Sequence, residues 1–252
     1  MIVQKLPVTQ SLHLTAVPLT REAFAPFGDV LSNPRPGSLP SNTSPASIAA
    51  GALPCGAISA NQGTAIQYKG LGSMHNLYPS APSKAAATPR VTMFVCGARE
   101  LAGPGRDTVE VKVLERHPFT TQTFVPLNAG KSKGYLVIVA PTLAPGVLDE
   151  GLPVPTGEEA ARLKLPGRGV PDVGRLRAFI ANGDQAVTYG AGTWHAPMIA
   201  LGETGSAIDF VVVQFANDTA VEDCQEVTLG SGESSNCRIT ANVPGRLRLS
   251  KL

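Results

Sequence analysis

The stretch Val109-Glu110-Val111-Lys112-Val113-Leu114-Glu115-Arg116-His117-Pro118-Phe119-Thr120-Thr121-Gln122-Thr123-Phe124-Val125-Pro126-Leu127 decides how this chain folds. Val109 to Leu114 alternates with period two, as expected for a strand with one buried face. Pro118 to Thr121 can turn the chain, and Gln122 to Leu127 reads as a second strand. Glu115 and His117 then share a face while Arg116 points away, and His117 and Gln122 meet across the hairpin.

Working outward, short strands recur. Val91-Thr92-Met93-Phe94-Val95-Cys96 is apolar and β-prone. Tyr135-Leu136-Val137-Ile138-Val139-Ala140 is apolar throughout, which predicts a central strand covered on both sides. Arg177-Ala178-Phe179-Ile180, Val187-Thr188-Tyr189 and Ile208 to Phe215 complete the set. Thr20 predicts the N-cap of a short helix, Arg21-Glu22-Ala23-Phe24, ended by Pro26 and Gly28. The 26 glycines and 22 prolines supply turns and leave little room for long helices. We therefore expect an all-β, mainly antiparallel barrel or jelly roll with a few short helices. It would form one domain over residues 1–252, with loop insertions at about 33–56 and 141–172 and an exposed carboxyl-terminal tail over 230–252. A short helical piece from Glu158 to Leu165 is expected within the second insertion.

Composition narrows the function classes. Net charge is +2 with 16% charged residues, and no basic stripe interleaves with aromatics, so nucleic acid is not an expected partner. No apolar run approaches the ~20 residues needed to span a bilayer, and the amino end lacks a secretory pattern. A soluble intracellular protein follows as the expectation, with Cys55, Cys96, Cys224 and Cys237 as free thiols. The chain ends Ser250-Lys251-Leu252, the address read by the peroxisomal import receptor. A peroxisomal location in a eukaryote is expected from it.

Two of the four histidines lie in motif-like surroundings. One is His117. The other closes Gly190-Ala191-Gly192-Thr193-Trp194-His195, after the turn signal Asn182-Gly183-Asp184-Gln185. Glycines there let backbone approach a ligand closely. Trp194, the only tryptophan, is a candidate pocket wall. Taken together, the segments resemble the paired motifs of the cupin superfamily. Gly192-Thr193-Trp194-His195 matches the second motif. In the first, Glu115 replaces a histidine and Gln122 replaces the usual Glu. Two imidazoles, one carboxylate and one amide make a weaker transition-metal site than three histidines and a carboxylate. Such a set holds a divalent ion loosely, through His117, Gln122 and His195, or binds substrate with no metal.

The wording is narrower than cupins at large. Leu19 to Val30, Glu115-Arg116-His117-Pro118 with Thr121 to Pro126, Leu176 to Gln185, Tyr189, Trp194-His195-Ala196-Pro197 and Asp209-Phe210 together resemble the ureidoglycolate lyase family of allantoin degradation. The resemblance implies a cupin-like barrel, a homodimer, and cleavage of (S)-ureidoglycolate to glyoxylate and urea. On that reading His117 and His195 are the acid–base pair. Gln122, Tyr189, Glu115 and Trp194 contact or orient substrate. Arg99 holds its carboxylate, with Arg116 as rival, and Asn61 meets the ureido group. Asp209 is either a ligand group or a structural anchor. Rival readings are another metal-dependent cupin enzyme acting on a small acid, a ureidoglycolate amidohydrolase releasing ammonia, and a ligand-binding cupin without catalysis.

Overall fold

The structure, a computed structural model, describes residues 2–129, 134–231 and 237–244. The Ser250-Lys251-Leu252 signal lies outside the described residues. The strand Gly134–Ala140 is buried at every position. With no polar side chain to offer solvent, it needs cover on both faces. Leu136 and Ile138 pack into one cluster with Leu114, Trp194 and Val227. Tyr135, Val137 and Val139 pack into a second with Phe124, Phe179 and Phe210.

That strand lies within an eight-stranded sheet. Its order is Ile2–Val8, Gln225–Ser231, Val113–Arg116, Trp194–His195, Gly134–Ala140, Arg177–Asn182 and Val17–Pro18, with Ile199–Leu201 also paired to Gly134–Ala140. A five-stranded sheet of Gly28–Leu31, Ala186–Tyr189, Gln122–Pro126, Ala207–Ala216 and Thr88–Gly97 closes over the second cluster. A three-stranded sheet of Leu12–Thr15, Ile239–Asn242 and Thr108–Glu110 covers the first. Pairing is antiparallel except where Ile2–Val8 meets Gln225–Ser231, Val17–Pro18 meets Arg177–Asn182, and Leu12–Thr15 meets Ile239–Asn242. The architecture is all-β and cupin-like, with helices no longer than five residues among the described ones. No described helix is long and apolar enough to cross a membrane. All four cysteines are free thiols.

The Thr20 hydroxyl accepts from Ala23 N at 3.2 Å and caps the helix Arg21–Phe24. Three expectations need correction. Val109 to Leu114 is not one strand: Thr108–Glu110 belongs to the three-stranded sheet and Val113–Arg116 to the eight-stranded one. Val111 and Lys112 form the corner, bonding Ile239 O and Leu229 N respectively. Alternation survives a corner, so it does not separate one strand from two. Likewise, His117 and Gln122 do not meet across a hairpin, because their strands belong to facing sheets. Residues 230–252 are not simply an exposed tail. Ile239–Asn242 pairs on both sides, and Ile239, Ala241 and Val243 are buried.

Leu136 is 1% exposed and touches the main core, whereas Leu143 is 42% exposed. We expect Leu136→Ala to cost about 2–5 kcal/mol through cavity formation and Leu143→Ala under about 0.5 kcal/mol, read by urea unfolding.

Candidate active site

His195 sits directly across from Glu115 in the antiparallel pairing of Trp194–His195 with Val113–Arg116. The loop before it turns at Gly192, where φ is +78°, a region that favours glycine. The Gly192 N–H donates to His117 O at 2.9 Å, tying the two motifs together by backbone. The imidazoles of His117 and His195 lie 5.5 Å apart, centroid to centroid. From the facing sheet, Tyr189 stacks on His195 at 3.9 Å with planes 11° apart. Gln122 is the cross-strand partner of Tyr189 and so shares its face. The structure thus brings Glu115, His117, His195 and Tyr189 together, with Gln122 alongside.

Both imidazoles are oriented by backbone. His117 Nδ1 is 2.6 Å from Asp223 O and His195 Nδ1 is 3.0 Å from Thr193 O. A carbonyl only accepts, so each Nδ1 carries the proton and each neutral ring presents Nε2 as a lone pair. Both Nε2 atoms are buried without a hydrogen-bond partner, as is Oε1 of Gln122. Glu115 Oε1 lies 3.5 Å from His195 Nε2, within ion-pair range but not hydrogen-bonded. Burial raises the Glu115 carboxyl, but His195 and then His117 outweigh it and hold it at about 2. Burial, with His195 beside it, lowers His117 against the opposing pull of Glu115. A neutral His117 next to an ionised Glu115 follows at neutral pH.

Behind His117 stands a network that the sequence did not reveal. Asp223 accepts from Tyr78 Oη at 2.6 Å and Asn217 N at 2.9 Å, fixing the residue whose carbonyl orients His117. Glu222, 2% exposed, accepts from Ser83 N, Ser83 Oγ and Asn217 Nδ2 at 2.6–2.8 Å. Gln214 Oε1 accepts from Gln122 Nε2 at 2.7 Å and so turns Gln122 Oε1 away from itself. These residues sit in turns and separate strands with no spacing rule to link them. The Asn217-Asp218-Thr219 turn signal was the only available hint.

The ureidoglycolate lyase family profile matches residues 11–235. The chain belongs to the ureidoglycolate lyase family. Among relatives bearing the name ureidoglycolate lyase, the Schizosaccharomyces pombe protein is 32% identical over 86% of this chain and 91% of its own length. The Saccharomyces cerevisiae protein is 30% identical over 87% and 96%, and the Burkholderia mallei protein 31% over 81% and 84%.

Five residues singled out from the sequence of this family member lie elsewhere. Trp194 is no pocket wall: it faces away from His195 into the opposite cluster, donating to Gly169 O at 3.1 Å. Arg116 packs over it at 4.5 Å and bonds Gln225, Gly167, Arg168 and Gly169. Burial lowers its guanidinium to about 10, and its work is to fasten residues 167–169 to the sheet. Arg99 is exposed at a cavity of about 320 Å³ that it shares with Ala196 and Ile199, on the face turned from His195. Asn61 is exposed at a hairpin tip with φ of 48°, and its carbonyl accepts from Thr64 within the turn. Asp209 accepts from Asn128 Nδ2 at 3.0 Å, an anchoring contact.

Burial raises the Glu222 carboxyl, but the bonds from Ser83 and Asn217 outweigh it and lower it overall. A depressed folded-state value adds stability above the unfolded pKa of about 4.3, lost as pH falls through the folded value. We expect Glu222→Gln to lower Tm at neutral pH and to flatten its acid limb, read by thermal melts from neutral pH into the acid range.

Proposed function

We propose that this chain cleaves (S)-ureidoglycolate to glyoxylate and urea. The observation that carries the reading is the pair of oriented imidazoles, 5.5 Å apart, each with a buried Nε2 that has no hydrogen-bond partner. The relatives named ureidoglycolate lyase, matched over most of their lengths, support the substrate. The reading extends to a homodimer, as the family resemblance implies, and to peroxisomal delivery through the import receptor, for which Ser250-Lys251-Leu252 is the supporting motif.

Ureidoglycolate carries a hydroxyl, a carboxylate and a ureido nitrogen on one carbon. Its cleavage removes the hydroxyl proton, forms the carbonyl, breaks the C–N bond and places a proton on the leaving nitrogen. His117 takes the hydroxyl proton at Nε2, because its Nδ1 proton is committed to Asp223 O. On taking up a proton at Nε2, where Glu115 Oε1 stands 3.5 Å away, His195 passes it to the urea nitrogen. Gln122 Oε1 accepts from a ureido N–H, and Tyr189 holds the His195 plane. Positioned proton transfer of this kind contributes about 10²–10⁴-fold.

A second reading rests on the same unpartnered atoms. Donor atoms of Glu115, His117 and His195 all lie within 4.8 Å of one another. Two metal–ligand bonds of about 2.1 Å span at most about 4.2 Å, so small side-chain adjustments would seat a divalent cation. Carbonyl-anchored Nδ1 atoms suit such ligation. A bound cation would polarise the substrate's oxygens.

Turnover with product identification tests the function. We expect stoichiometric glyoxylate and urea from the native chain and rate losses of about 100-fold or more in His117→Ala and His195→Ala. Ammonia without urea, or full activity in either variant, would overturn the proposal. Activity lost on chelation and restored by a divalent ion would select the cation reading; activity indifferent to chelation, in a metal-free preparation, would select proton transfer alone.

A further inference from the structure

Ureidoglycolate is an anion, and the site that would take it already holds the ionised carboxylate of Glu115 beside His195 and His117. Glu115, the two imidazoles and the Gln122 amide offer no guanidinium or ammonium group, and Arg116 and Arg99 serve the opposite face. One arginine does stand on the site's own face. Gln122 pairs with Tyr189 on one side, and on the other its amide donates to Gln214 at 2.7 Å. Gln214 is in turn the cross-strand partner of Arg90. Cross-strand partners share a face, so Tyr189, Gln122, Gln214 and Arg90 form one row across the inner side of the five-stranded sheet. Phe94, four residues beyond Arg90 and so on the same face, meets Phe124 of the inner cluster at 5.8 Å between ring centroids. The row opens outward. Tyr189 is 2% exposed and Gln122 5%, Gln214 and Arg90 are half-buried, and Thr92 and Phe94 beside Arg90 are exposed. A polar track therefore leads from the sheet edge to Tyr189, which stacks on His195.

We propose that Arg90 receives the carboxylate of the substrate and so aims its hydroxyl and ureido groups at the imidazoles. This rests on the lyase reading of the preceding subsection. Arg90 and Gln122 are two strand spacings apart, roughly 10 Å between Cα atoms, a gap that an extended arginine side chain and a small ureido acid close together. A guanidinium grips a carboxylate through two parallel N–H bonds, while Gln122 Oε1 takes a ureido N–H. In the structure Arg90 donates instead to Asp218, an exposed carboxylate in a turn. Asp218 occupies the fork as a substrate carboxylate would, and exchanging one carboxylate for another keeps the guanidinium paired. The turn matters as well. Asp218 lies five residues before Asp223, whose carbonyl holds His117, and the guanidinium also feels the Asp223 carboxylate. Arg90 thus stands where the polar row meets the segment that aims the base. Arg177 lies on the facing sheet in register with Val139, the partner of His195, but its neighbours there, Val139 and Phe179, are apolar.

Hydantoate (N-carbamoylglycine) tests this without turnover, because it carries the ureido group and the carboxylate but lacks the hydroxyl whose proton is removed. N-carbamoylglycinamide, with a neutral amide in place of the carboxylate, is the control ligand. In calorimetric titrations of the full chain we expect hydantoate to bind. Arg90→Met should weaken that binding by about 10–100-fold, the range for a hydrogen bond to a charged group, with Arg90→Lys between the two. Binding of the neutral control should not change. Asp218→Asn removes the same ion pair but keeps the guanidinium, and asparagine suits the left-handed backbone at that position, where φ is 62°. It should bind hydantoate at least as tightly as the native chain does. An exposed ion pair adds little stability, and thermal melts check that each variant folds. Hydantoate binding indifferent to Arg90→Met, or weakened equally by Asp218→Asn, would overturn the proposal and leave the lyase reading standing wherever glyoxylate and urea still form. A native chain that binds no hydantoate would overturn it too. Absence of glyoxylate and urea from ureidoglycolate would sink the lyase reading first, and this assignment with it.

Discussion

The site depends on one geometric constraint: adjacent residues in a strand face opposite ways. Glu115 and Arg116 are consecutive, as are Trp194 and His195, and the two pairs lie side by side in the antiparallel sheet. Alternation sends Arg116 and Trp194 together to one face, where guanidinium and indole stack. It sends Glu115 and His195 together to the other. A one-residue slip would exchange the faces, placing the acid and imidazole in the apolar cluster. The packing of Arg116 against Trp194 and three backbone carbonyls thereby fixes the register that the chemistry requires.

The fold was legible wherever a run had to satisfy both faces locally. Tyr135 to Ala140 announced itself because six consecutive apolar residues have no other stable placement. Thr20 announced the first helix because its hydroxyl serves a nearby N–H. The Gln225–Ser231 and Ile239–Asn242 strands were not legible, because their partners lie over 100 residues away and their own sequence is polar enough to pass for a tail. The break at Val111 was invisible for a related reason: a corner between sheets leaves period two intact.

Within the site, the two histidines, Glu115, Gln122 and Tyr189 could be named because strand spacing and glycine turns constrain them. The residues that aim them could not. Tyr78 and Asn217 act on His117 through Asp223, and the decisive atom is a backbone carbonyl, which every residue possesses. Misplacing Arg99 had a similar origin. A guanidinium near a predicted strand end suggests an anion grip, but which side of the sheet it serves depends on a crossing that local pattern does not encode.

The two large sheets share one requirement and meet it differently. In the eight-stranded sheet, Gly134–Ala140 gains cover from the five-stranded sheet on one face and the three-stranded sheet on the other. In the five-stranded sheet, Ala207–Ala216 turns Phe210 and Val212 to the shared core and Val211 and Val213 outward. The inner face of these strands carries Tyr189 onto His195 with Gln122 beside it, whereas Val125, Val211 and Val213 on the outer face are only half-buried. Gln214, which turns the Gln122 amide, and the outward Val213 are consecutive residues of one strand. The backbone pairing that holds Val213 outward therefore also fixes the inward side chain that sets the Gln122 amide.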